Sequence, residues 1–163
     1  MILKNKGKFL ETIINKSIQM LEINNEGLIY KMPVNSNLFE VNNNVIKAKL
    51  LNNTFCDYIG LYKGFYFEFE AKETEKEYFS VTNIRKNQYT KLKKVHENNG
   101  FAFILVYFHK YESLYVLNII DILSLKNKKI PYEVFAEKYI KIDLDNGNIN
   151  FNKIFNHLIN YTL

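Results

Sequence analysis

Asp57, Glu70 and Lys72 are the residues of this chain whose types and spacing could do chemistry. They frame the stretch DYIGLYKGFYFEFEAKE, in which two strand-like segments flank Lys63-Gly64, a two-residue turn signal. With that turn, Tyr62 opposes Phe65, Gly60 opposes Phe67, Tyr58 opposes Phe69 and Asp57 opposes Glu70. A three-residue loop with a glycine bulge would shift every pair by one. In the two-residue register the Cβ atoms of Asp57 and Glu70 lie roughly 4.5–5.5 Å apart. Like charges opposed across a sheet are destabilising, so the pair needs a shared proton or a cation. A hard divalent ion such as Mg²⁺ takes one or two carboxylates and keeps waters for substrate oxygens. Alternation puts Lys72 on the face of Glu70, where an ammonium can polarise a water or stabilise charge developing on a phosphate. The set suits metal-assisted phosphodiester hydrolysis. The plain alternative for EAKETEKE is a solvated, charge-mixed strand end, and E-x-K alone does not decide between them.

The elements that must hold these groups follow from the apolar pattern. On the second hairpin strand Phe65, Phe67, Phe69 and Ala71 share one face, and Tyr66, Glu68, Glu70 and Lys72 the other. Helical spacing of Phe9, Leu10, Ile13, Ile14, Ile18 and Leu21 predicts an amphipathic helix over 5–23, ended by NNEG at 24–27. LIYKMPV, 28–34, reads as a short strand that Pro33 confines to an edge or an end. NSNLFEVNNN, 35–44, is the most loop-like stretch, and VIKAKLL after it reads as extended. A helix is predicted over 82–99, terminated by ENNG. FAFILVYF, 101–108, is a short continuous apolar run, the pattern of a buried central strand, with SLYVLNI as its hairpin partner. Shorter helices are expected over 119–126, 131–138 and 151–161. The order implies a layered α/β fold, a mixed central sheet flanked by helices. At 163 residues, without repeats or a Pro/Gly/Ser linker, the expectation is a single domain over 1–163.

Composition narrows the function classes. Hydrophobic residues make up 47% and charged residues 24%, the balance of a globular protein. A net charge of +5 suits a polyanionic partner without proving one. The lone cysteine, Cys56, excludes an internal disulfide and a Cys-based zinc site and favours a reducing cytoplasm; its strand position turns it towards the core. No apolar stretch is long enough to cross a membrane, and the N-terminal residues are too polar for a signal peptide, so the expectation is a soluble cytoplasmic protein. His96, His109 and His157 are not at metal-ligand spacing and read as surface or packing residues. Tyr58, Tyr62 and Tyr66 read as sheet packing.

DYIGLYKGFYFEFEAKET resembles the core motif of the RecU family of Holliday junction resolvases, approximately D-Y-x-G-x-Y-K-G-x-Y-x-x-F-E-A-K-E-T. The resemblance extends through NKGKFLE at 5–11, YKMPV at 30–34, FSVTNIRKNQ at 79–88 and the later strand pair, essentially the whole chain. It implies a restriction-endonuclease-like fold of the PD-(D/E)xK nuclease superfamily. It further implies that Asp57, Glu70 and Gln88 hold the metal, with Gln88 completing the metal and water network, and that Lys72 is the catalytic lysine. Glu11 matches a helix glutamate that superfamily members aim at the active site. Lys6, Lys31 and Arg85 are the residues expected to contact DNA, through sequence-independent, salt-sensitive phosphate contacts. Mg²⁺ or Mn²⁺ is the implied cofactor, branched DNA the implied substrate, and a homodimer the implied assembly. A recombinase or branch-migration helicase is a candidate protein partner.

Three departures from the family pattern stand out. Phe55 occupies the position of a Thr associated with the metal site, with Thr54 displaced by one and facing the other way. Lys6 replaces an Arg and loses its bidentate fork. The stalk segment, about 35–50, is shortened and less basic than in the family. Two other readings therefore stay open: a different nuclease of the superfamily, or a junction-binding, recombination-modulating protein whose catalysis has faded.

Overall fold

Lys63 and Gly64 both take positive φ, 48° and 86°, the backbone of a two-residue turn whose twist matches that of the strands it joins. The hairpin takes the register expected from that turn: Tyr62 pairs with Phe65, Gly60 with Phe67 and Tyr58 with Phe69. Gly60 is required there. A Cβ at this position would lie 2.1 Å from the Leu28 carbonyl and 2.4 Å from the Phe67 ring.

The computed structural model describes residues 8–23, 27–33, 36–51 and 55–162. In chain order the elements are α1 (Phe9–Ile23), β1 (Leu28–Lys31), β2 (Ser36–Asn42), β3 (Val45–Leu50), β4 (Tyr58–Tyr62), β5 (Phe65–Thr74), β6 (Tyr78–Ser80), α2 (Lys86–Glu97), β7 (Phe101–Phe108), β8 (Ser113–Asn118), α3 (Ile119–Ser124), β9 (Lys129–Pro131), α4 (Tyr132–Lys138), β10 (Lys141–Ile142), β11 (Leu144–Asp145), β12 (Asn148–Ile149) and α5 (Phe151–Thr162). Six strands form the main sheet in the order β1-β4-β5-β7-β8-β10. β5 and β7 run parallel, with α2 in the connection between them, and the other pairs are antiparallel. The mixed central sheet flanked by helices matches the sequence expectation.

Two apolar clusters cover the two faces of this sheet. One joins α1 and α5 to Phe67 and Phe69 of β5 and to Phe101, Phe103, Leu105 and Tyr107 of β7. The other joins α2, α3 and α4 to Ala102, Ile104, Val106 and Phe108 of β7. β7 is therefore buried along its whole length, the reason its sequence is a continuous apolar run rather than an alternation. β1 is an edge strand that ends before Pro33, where a missing N–H breaks no ladder bond.

Two expectations need correction. Residues 36–42, assigned from sequence to a loop, form β2 and pair antiparallel with β3. Asn43 takes φ 49° in the tight turn between them, a conformation that Asn tolerates better than most residues. Helix α1 begins at Phe9, with Lys8 outside it and the Lys8 carbonyl accepting from the Thr12 N–H, and residues 5–7 of the expected helix lie outside the described residues. Lys6, Thr54 and the NNE of the expected helix stop lie outside the described residues. No helix among the described residues is long and apolar enough to cross a membrane.

Candidate active site

The β4–β5 ladder ends at the Tyr58–Phe69 pair, so Asp57 sits just past the last rung, in the bend that leads into β4. Two backbone bonds fix this bend. The Asp57 carbonyl accepts from the Met32 N–H at 2.8 Å, and the Cys56 N–H donates to Glu68 Oε2 at 3.0 Å. Across the strand gap Glu70 is fully buried, while Lys72 reaches the surface at 18% side-chain exposure. The α2 side of the sheet thus changes from dry to wet between two residues of one strand.

Glu70 is held from one side only. Its Oε2 accepts from Gln88 Nε2 at 2.5 Å and from Lys72 Nζ at 3.1 Å. Its Oε1 is buried with no hydrogen-bond partner. Glu70 is pushed up to about 8, first by burial and then by a hydrogen bond that a retained proton makes with Asp57, with Lys72 pulling the other way. As two carboxylates, Asp57 and Glu70 offer each other only acceptors, so they hydrogen-bond only when one of them keeps a proton. The floor beneath is apolar, since Glu68, Glu70 and Lys72 pair with Ala102, Ile104 and Val106 of β7. That low-dielectric surface is the source of the burial cost.

Gln88 has a local reason for its place. It is the third residue of α2, and its Oε1 takes the N–H of the preceding Arg85 at 2.9 Å, a capping-box bond at the helix start. The same oxygen accepts from Lys72 Nζ at 3.3 Å. Gln88 therefore bridges Glu70 and Lys72, and its carbonyl, the only atom it could offer a hard cation, is already engaged by two donors. Arg85 lines the cleft beside it.

The cleft holds about 480 Å³ and is lined by Glu11, Asp57, Lys72 and Gln88 among others. Glu11 and Lys31 meet in an ion pair of 2.8 Å at half-exposed positions, so Lys31 stands at the rim through Glu11. Phe55 is 40% exposed, with Lys91 Nζ 4.9 Å above its ring. Among the described residues no three His, Cys, Asp or Glu side chains converge as a ready metal cage. The donors that do converge are two carboxylates, one with an orphaned buried oxygen, a set that fits a hard ion retaining most of its waters.

Sequence reasoning missed three residues. Glu73, on the α1 side of β5, is 8% exposed. It accepts from the Leu10 N–H at 2.7 Å and lies 2.6 Å from His109 Nε2, and both Glu73 and His109 line the cleft. Glu73 thereby ties the first turn of α1, which carries Glu11, to the site. His109 directly follows β7, and the parallel pairing of Thr74 with Phe108 brings it to the end of β5. Neither is visible as a spacing in the sequence. Glu68 is the third: alternation placed it on the face of Glu70 without assigning it a role, and it is fully buried.

The fold and this cluster define a class: an α/β domain that presents paired carboxylates and a lysine where a hairpin strand leaves the core. Residues 5–157 match the family described as Recombination protein U. The chain belongs to the RecU family. It is 32% identical over 160 residues to the Holliday junction resolvase RecU of Ureaplasma parvum serovar 3, covering 95% of this chain and 94% of that one. It is 30% identical over 161 residues to the RecU of Mycoplasmopsis pulmonis, covering 98% and 99%. Among solved structures, the Holliday junction resolvase Hjc of Archaeoglobus fulgidus aligns with a TM-score of 0.49 at 10% identity, over 77% of this chain and 92% of that chain.

Proposed function

We propose that this protein is a divalent-cation-dependent endonuclease that resolves four-way DNA junctions by paired nicks, acting in the cytoplasm as a homodimer with one cleft per copy. The observation that carries the reading is a cleft lined by Asp57, Lys72 and Gln88, with Lys72 and Gln88 hydrogen-bonded to the buried Glu70, whose Oε1 is left without a partner.

Asp57 and Glu70 would hold Mg²⁺ or Mn²⁺, and Gln88 completes the site by fixing the Glu70 carboxylate. Bound there, the cation supplies charge neutralisation at the scissile phosphate and a lowered pKa for a coordinated water. The chain's own groups do the rest. Lys72 Nζ, the one ammonium within hydrogen-bonding distance of Glu70 among the described residues, is placed to bind a non-bridging phosphate oxygen and to offset charge as it develops. Burial of Glu70 against β7 keeps bulk water from one side of the reacting centre. Hydrolysis forms a water-oxygen–phosphorus bond and breaks the bond to the 3′ oxygen, which takes up a proton and leaves a 5′-phosphate nick. Arg85 and Lys31 flank the cleft and bind the phosphates on either side of the cut. The protruding β2–β3 hairpin is the stalk that enters the junction.

The test is incubation of a synthetic four-way junction, and separately of linear duplex, with Mg²⁺ or Mn²⁺. Symmetric nicking confined to the junction is the expected result. Cutting of duplex would replace the substrate with ordinary DNA, and junction binding without nicking in either metal would remove the catalytic reading.

A further inference from the structure

Glu68 is a fully buried carboxylate that the reaction as described does not use. Its contacts are specific. Oε2 accepts from the Cys56 N–H at 3.0 Å. Oε1 accepts from the Tyr66 hydroxyl at 2.6 Å and lies 3.2 Å from Lys91 Nζ. Two of the three partners, Cys56 and Lys91, sit on segments other than β5 that also carry cleft residues. Cys56 immediately precedes Asp57, in the bend where the β4–β5 ladder has already ended. Glu68 precedes Glu70 by two residues on the same face of β5. Lys91 lies one helical turn past Gln88 on α2, so the two share a helix face. One carboxylate thus touches the three elements that deliver Asp57, Glu70 and Gln88.

We propose that Glu68 is a positioning residue that sets the separation of the two site carboxylates by clamping the Asp57 bend to β5 and α2. With the strand ladder finished, the bend needs another acceptor for the Cys56 N–H, and a side chain from the neighbouring strand supplies it. Met32 holds the far side of the same bend through the Asp57 carbonyl, so the Asp57 backbone is gripped from both flanks. Removing the Glu68 acceptor frees one flank and lets the Asp57 carboxylate swing relative to Glu70. A buried ion pair kept only for packing makes no such demand, because apolar residues of similar size replace it at little cost.

The cation arm of this inference rests on the reading of the cleft as a two-carboxylate cation site; the bend arm does not. The chain's single cysteine is next to Asp57 and fully buried, so its thiol reports on the bend when labelling rates are compared at equal thiolate fraction, because burial and the neighbouring Glu70 and Glu68 carboxylates also push this thiol up. The experiment compares wild type with Glu68→Met, which keeps the side-chain length and removes both acceptors. It measures the rate of Cys56 labelling by a small disulfide reagent in metal-free protein, Mn²⁺ affinity by calorimetry, and the melting temperature. Labelling is expected to accelerate and Mn²⁺ affinity to fall, each by about tenfold or more, in a protein that still melts cooperatively near the wild-type temperature. Unchanged labelling and affinity in the folded variant, or a lowered melting temperature alone, overturns the proposal. Faster labelling with unaltered Mn²⁺ affinity also overturns it, since the bend would then move without consequence for the site. If Glu68→Met does not fold, Glu68→Gln carries the test: its amide NH₂ must face the Lys91 ammonium or give up the Cys56 bond, and the same two shifts are expected at smaller size. Failure of the wild type to bind Mn²⁺ counts against the cation reading, while labelling still decides the clamp.

Discussion

β5 and β7 lie side by side in the centre of the same sheet, paired in parallel over eight residues from Phe67–Phe101 to Thr74–Phe108, yet they are built for opposite ends. β7 buries apolar side chains on both faces. β5 matches it on the α1 and α5 side with Phe67 and Phe69, but towards α2 it presents Glu68 and Glu70, both fully buried, and then Lys72. Every polar group on that face of β5 is backed by an apolar one on β7. The contrast teaches that the apolar strand stabilises the fold and, by the same contact, makes the neighbouring carboxylate hard to ionise. Glu70 keeps its proton up to about 8 because Ile104 is its neighbour rather than water. Under the proposed cation reading, an ion that replaced that proton would also meet the lone Oε1.

The largest effect expected from this division is on chemistry. Asp57→Ala or Glu70→Ala should lower junction cleavage by on the order of 10²–10³ or more while gel-shift affinity for the junction stays near wild type; nicking at the wild-type rate would remove both residues from the site. The converse substitution is on β7. Ile104→Ala should cost about 2–5 kcal/mol in denaturant unfolding, and by admitting water it should bring Glu70 below about 8 in a titration followed by carboxyl NMR. A loss of stability with Glu70 unmoved would uncouple the two strands. The third outcome concerns pH. Glu70 holds its proton more tightly in the folded chain, at about 8, than at its ordinary 4.5. Its contribution to stability is therefore full below pH 4.5 and lost as pH rises through about 8, on the order of a few kcal/mol. Metal-free protein should lose stability across that window, and Glu70→Gln should flatten the slope; an equal slope in both proteins would assign the titration elsewhere. The smallest effect is expected on β2, where Phe39 is 70% exposed. Phe39→Ser should change unfolding free energy by less than about 0.5 kcal/mol, marking the ribbon as neither core nor cleft.

What the sequence made legible follows the same boundary. The continuous apolar run of FAFILVYF and the alternation in FYFEFEAKE made the central strands and the hairpin register readable, while Asp57, expected opposite Glu70, falls one residue past the last rung of that register. Alternation put Lys72 on the face of Glu70, whereas Gln88 was reachable through the family motif and not through periodicity. Glu68 and Glu73 were not readable as buried, because a strand glutamate looks the same whether it faces solvent or a backbone N–H supplied by a distant segment. His109 arrives only because β7 runs parallel to β5. The β2 segment hid because its strand is exposed on both faces, and burial is what gives strands their alternating signature. Its apolar pairs, Leu38–Ala48 and Val41–Ile46, appear only once the register is known.

The parallel contact between β5 and β7 also sets a timetable. The β4–β5 hairpin closes through a two-residue turn and can form within microseconds on its own, but Glu70 gains its floor only when α2 has folded and β7 has returned alongside. Pairing between distant segments is slow to nucleate. During synthesis, the nascent chain therefore carries its two acids before it carries the helix and the strand that assemble a cleft around them.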